Sequence, residues 1–140
     1  MRLLRSFQHF LRDQAGMETL EAAITTPIAI LVMLATLNLG LLVYGQQAVE
    51  AAARQGARMG SVAQQSAGAV ASQAARNAIT SSRLVQNPSV TILSPGGRAG
   101  SLLRVRVGGE IPNFLGPLIP GLPSPFTISA ESVFRQEGWQ

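Results

Sequence analysis

A chain that transforms a substrate must bring nucleophiles, bases or metal ligands together, and this sequence offers few of them. It has one histidine, His9, no cysteine, and seven carboxylates scattered at Asp13, Glu18, Glu21, Glu50, Glu110, Glu131 and Glu137. Without cysteine there is no thiolate, no Cys-based metal centre and no disulfide, and a lone histidine with no second ligand nearby reads as a surface residue. The glycines of SPGGRAGS, residues 94–101, lack the lysine of a phosphate loop and read as a hairpin turn. No nucleophile–base pair or metal cluster can be assembled, so the expectation is no enzyme, no metal, no cofactor and no small-molecule substrate. One carboxylate nonetheless stands where a charge has a task. Glu21, in QAGMETLEAAITTP (residues 14–27), lies at the lip of an apolar run that continues to Gly45 without another charged side chain. There a carboxylate either snorkels to water or meets a cation.

The element that positions Glu21 is the run itself. Ala22 to Gly45 is about 24 residues, which at 1.5 Å per residue crosses a hydrocarbon core of about 30 Å with some tilt. The run is too long for the apolar part of a secretory signal, and no small-x-small cleavage site closes it. A buried helix of a soluble protein would need surrounding elements that so short a chain barely supplies. Pro27 falls about one turn inside, where a missing N–H is least costly, and predicts a mild bend rather than a break. Before the run, MRLLRSFQHFLRDQ places Leu3, Leu4, Phe7, Phe10 and Leu11 on one helical face and Arg2, Arg5 and Arg12 away from it, the pattern of a segment lying on an anionic membrane surface. Positive charge ahead of the run favours a cytoplasmic N-terminus.

All eleven basic residues are arginines, giving a net charge of +4. They divide between the two sides of the apolar run, and no arginine patch alternates with aromatics, which argues against nucleic acid. Beyond the run, Val49, Ala53, Gly56, Gly60, Ala63, Ala67, Val70 and Ala74 recur in steps of four and three, a heptad seam of small residues that predicts a continuous helix to about Ser81–Arg83. Gly56 and Gly60 form a small-xxx-small contact along it, and Glu50 pairs with Arg54 on the outer side. Three partners fit this seam: the chain's own β layer, the helices of neighbouring subunits, or none, if it reflects alanine-rich composition alone.

From Ser89 the pattern turns to strands. SVTIL is a short apolar strand, LLRVRVGGEI alternates Leu103, Val105 and Val107 with Arg104 and Arg106, and FTISAESVFR from Phe126 to Arg135 closes a three-stranded antiparallel layer. FLGPLIPGLPSP between the last two strands has prolines at 117, 120, 123 and 125 and is a loop, although it carries Phe114, Leu115, Leu118, Ile119 and Leu122. Those side chains either fold back over the sheet or form a docking surface, and the small size of the domain favours the first.

A basic leader, Gly16, Met17, a glutamate five residues after that glycine, and an uninterrupted apolar helix together resemble the processing site of type IV prepilins and pseudopilins. The closer resemblance is to TadE-like proteins of tight adherence (Flp) pilus systems, carried by Gly16, Leu20–Glu21, Pro27 and AARQGARMG from Ala52 to Gly60. It extends over most of the chain, including a β-rich tail ending SAESVFRQE. Departures are Ala22, where the family often has Phe, and Met17 and Glu18, where small or polar residues are usual. The resemblance implies that a prepilin peptidase cuts between Gly16 and Met17, and that Glu21, fifth in the mature chain, sets register by meeting the new α-ammonium of its own chain or of a neighbour.

The expected fold is α+β, a single N-terminal transmembrane helix extended into a long extramembrane helix and packed on a small antiparallel sheet. Its parts are a leader over 1–16, a membrane helix over 17–45, the extramembrane helix over 46–83 and a β-rich extracytoplasmic domain over 84–140. The expected partners are the bacterial inner membrane, a prepilin peptidase, other pilins and the pilus assembly machinery. A different class also fits the residues: an uncleaved membrane-anchored envelope protein whose β-rich domain binds a partner without entering a filament.

Overall fold

A computed structural model of the chain describes residues 14–137. Residues 1–13 of the leader, with Arg2, Arg5, His9 and Arg12, lie outside the described residues. Five elements follow in order: helix α1 (Gln14–Ser61), helix α2 (Ala67–Thr80), and strands β1 (Gln86–Pro95), β2 (Leu102–Ile111) and β3 (Phe126–Arg135). This is the α+β arrangement expected, a long apolar helix and a second helix with a three-stranded antiparallel sheet. The chain divides into two compact units, Met1–Leu37 and Asn38–Gln140.

In the first unit α1 runs through Pro27 without interruption. Thr25 and Thr36 turn their hydroxyls back to the carbonyls of Glu21 and Val32, at 2.7 and 2.9 Å, so these polar side chains add no unsatisfied donor to an apolar helix. Leu20, Ile24, Ile28, Val32 and Met33 all stand exposed, and only 11% of the most apolar stretch is buried. A helix apolar on every side that the protein leaves uncovered has the surface of a membrane span, not of a core helix.

In the second unit the continuous helix expected to Ser81–Arg83 is corrected. α1 stops at Ser61, Val62–Ser66 turn, and α2 lies back against α1. The causes are on both sides of the turn. The Ser61 hydroxyl bonds the Arg58 carbonyl at 2.8 Å, the Ala63 N–H reaches only three residues back to Gly60, and Ser66 adopts a left-handed φ of 53° ahead of α2. The orphan carbonyls at the end of α1 are then met from the far end of the chain: Gln136 Nε2 donates to the carbonyls of Gly60 (3.3 Å) and Ala63 (2.8 Å), and the Glu137 N–H donates to Ser61 (3.0 Å).

The heptad phase therefore shifts at the turn. α1 buries Val49, Ala53, Gly56, Ala57 and Gly60, whereas α2 buries Ala67, Ala71, Ala75 and Ile79 at a spacing of four. These small faces meet each other and the inner face of the sheet, where Leu103, Val105, Val107 and Ile111 of β2 and Ile128 of β3 complete one core. The sheet order is β1-β2-β3. The inner–outer alternation read from LLRVRV is present: Leu103, Val105 and Val107 are buried, and Arg104 and Arg106 face out. β1 is longer than the Ser89–Leu93 strand expected, because pairing with β2 continues to Gln86 past a register shift that accommodates Pro88 on the edge strand.

Candidate functional site

Gly16 and Met17 lie in the first turns of α1, and Glu21 stands four residues after Met17. A step of four residues is slightly more than one turn, so Met17 and Glu21 share a face, with their backbones about 6 Å apart along the axis. A carboxylate there can reach an α-ammonium created at Met17. Met17, Glu18, Leu20 and Glu21 are exposed, and among the described residues no ion pair involves Glu21. The structure thus places Gly16, Met17 and Glu21 on one short stretch.

Gly56 and Gly60 sit elsewhere, in the second unit, at the crossing of α1 with α2. A Cβ on Gly56 would stand 2.7 Å from the Ala75 Cβ and 2.8 Å from the Ala71 carbonyl oxygen. One on Gly60 would stand 2.5 Å from a Leu103 methyl and 2.7 Å from the Ala71 Cβ. The two helices approach so closely that only glycine fits, and the seam left open by the sequence closes within the chain, on α2 and β2.

A third set of residues had no place in the sequence reading. Asn38, a carboxamide inside the apolar run, is buried, and its Oδ1 accepts the Phe114 N–H at 3.0 Å. Asn113 beside it, also buried, donates to the Pro123 carbonyl at 2.6 Å and accepts the Leu115 N–H at 2.9 Å. The one available signal was the lone carboxamide in an otherwise apolar stretch. The proline-rich loop of residues 112–125 does not fold back over the sheet as expected: Phe114, Leu118 and Ile119 are exposed, and Leu115 and Leu122 are half-buried.

Elsewhere on the surface, carboxylates pair with arginines. Glu131 on β3 lies 3.0 Å from Arg106 and 3.8 Å from Arg104, and Glu50 lies 2.9 Å from Arg54, all partly exposed. Among the described residues no group of three His, Cys, Asp or Glu side chains could hold a metal ion.

The comparison that bears on these residues begins at the glycine. Residues 16–58 match the TadE-like protein family model. The TadE-like stretch takes in Gly16, Met17, Glu21, Pro27 and AARQGAR as far as Arg58, all of it on α1. It stops short of Gly60, α2 and the sheet, so the likeness expected of the β-rich tail lies outside the match. No curated protein and no solved structure matches the chain. The TadE-like family is associated with tight adherence pili, and its match together with one exposed apolar helix points to a single-pass membrane protein.

Proposed function

We propose that this chain is a non-catalytic, membrane-anchored pseudopilin that helps initiate or support assembly of a tight adherence pilus. A prepilin peptidase removes residues 1–16, leaving an α-ammonium on Met17. Glu21, one turn on along the same face, pairs with that ammonium or with the equivalent group of a neighbouring pilin, and the pairing fixes the register of adjacent helices. In this reading the N-terminus is cytoplasmic and residues 46–140 lie on the periplasmic side of the bacterial inner membrane. The observation that carries the proposal is the TadE-like match beginning at Gly16, the residue after which the cut falls. The shared face of Met17 and Glu21 supports the role of the carboxylate.

Glu21→Gln keeps the shape and polarity of the side chain and removes its charge. The variant chain inserts and is cleaved, because a neutral amide is cheaper to bury than an unpaired carboxylate, but pilus assembly fails. In a chain locked uncleaved by Gly16→Val there is no ammonium at this depth, so adding Glu21→Gln changes nothing further. Normal piliation in Glu21→Gln cells would show that the carboxylate sets no register.

A further inference from the structure

The connection between β2 and β3 is built in the opposite sense to an ordinary soluble loop. Its polar groups point inward and bond one another: Asn113 holds both Leu115 and Pro123, and the N–H groups of Leu118 and Ile119 both donate to the Leu115 carbonyl, at 3.0 and 2.9 Å. Its apolar side chains point outward, with Phe114 at 54%, Leu118 at 56% and Ile119 at 42% exposure. No charged side chain occurs between Glu110 and Glu131. An internally bonded backbone under an uncharged apolar crown is what a low-dielectric surrounding demands of irregular structure.

The position of the loop identifies that surrounding. Its first turn is tied to Asn38, and Asn38 lies seven residues, or about 10 Å of helix, before the apolar run ends at Gly45. The final stretch of the run, from Asn38 to Gly45, belongs to the same compact unit as the loop and exposes Leu39, Val43 and Tyr44. A carboxamide at that level of a membrane span requires a hydrogen-bond partner, and the loop backbone supplies one. Tyr44 has the amphipathic ring favoured at the headgroup level.

We propose that the loop carrying Phe114, Leu118 and Ile119 is a second membrane contact, seated at the headgroup–acyl boundary of the leaflet from which α1 emerges. The occupant of this surface is lipid. The inference rests on the reading of α1 as a membrane span, and the test separates the two.

Because the chain has no cysteine, single substitutions give unique spin-label sites in the full-length protein. Leu118→Cys, with Phe114→Cys as a second reporter, is labelled with a nitroxide in vesicles of phosphatidylethanolamine and phosphatidylglycerol. Collision with oxygen and with a water-soluble nickel chelate is then compared with Leu31→Cys, in the middle of the run, and Arg98→Cys, in the exposed β1–β2 turn. Both loop labels are expected to be open to oxygen and shielded from nickel, at a depth of about 5–10 Å, between the two references. Nickel access equal to that at Arg98 would place the loop in water and overturn the proposal. Shielding from both reagents would mean that protein, such as a second copy of the chain, covers the loop, and would overturn it equally. Nickel access at Leu31 as well would overturn the span and the loop contact together, whereas nickel access at the loop labels alone leaves the span intact.

Discussion

Gly56→Ala adds one methyl group at the closest approach of α1 and α2. On the helix alone the change is favourable, since alanine exceeds glycine in helix propensity by about 1 kcal/mol. The packing opposes it. The new Cβ would stand 2.7 Å from the Ala75 Cβ and 2.8 Å from the Ala71 carbonyl oxygen, where carbon–carbon contacts are comfortable at about 3.5–4.0 Å. To relieve both contacts α2 must move off by much of an ångström, yet its other side is packed on β1, where Gly68 faces Ile92 and Pro95. Overpacking of this kind costs about 1–3 kcal/mol, and two contacts this short put Gly56→Ala toward the upper part of that range, leaving a net loss of up to about 2 kcal/mol. For a domain of this size that lowers the melting temperature by up to roughly 15 °C. The assay is thermal unfolding of the full-length chain in lipid nanodiscs, followed by circular dichroism. Gly40→Ala serves as control, because a Cβ there meets nothing within 4 Å on the same helix. A Gly56→Ala domain that melts at or above the parent temperature would refute the claim that the seam closes on α2 within one chain. If the seam instead served contacts between subunits, the variant would lose association and keep its melting temperature.

Gln136→Ala removes both bonds that its Nε2 makes to the end of α1 and is expected to destabilise the second unit by about 1–3 kcal/mol in the same melt, with hydrogen exchange accelerated at Ser61–Ser66. Gln136→Glu is expected to do worse, since a carboxylate cannot donate to those carbonyls and would face the negative end of the helix dipole. Asn38→Leu takes away the acceptor for the Phe114 N–H and should loosen residues 112–125, read as faster protease cleavage within the loop. Glu131→Gln disturbs only exposed ion pairs with Arg104 and Arg106 and should change stability by less than about 1 kcal/mol.

Much of this fold is written in local patterns. Leu102–Ile111 and Phe126–Arg135 emerge as strands with the bounds read from alternation, because one face of each is buried and the other wet. The apolar run is legible for the same kind of reason, since lipid imposes one composition over a fixed length. The turn at Val62–Ser66 has no such signature: it holds neither glycine nor proline, and small residues continue at helical spacing on both sides. The carbonyls freed there are met by Gln136, more than seventy residues away, and a heptad pattern records which face is buried but not whether the helix beneath it is continuous. Asn38 is hidden in the same way, since its partner is a backbone N–H that tertiary structure alone brings within reach. Gly16, Met17 and Glu21 were singled out by the resemblance to prepilin processing sites, and the structure adds that Met17 and Glu21 lie one turn apart on a single helix.

The central claim, that this chain is a processed pilus-assembly component, is tested most directly by the N-terminal residue of the protein isolated from native membranes. Sequencing or intact-mass analysis is predicted to find a chain beginning at Met17, lighter than the precursor by residues 1–16, and to find the full precursor in cells lacking the prepilin peptidase. A mature chain that begins at Met1, with and without the peptidase, would contradict the claim.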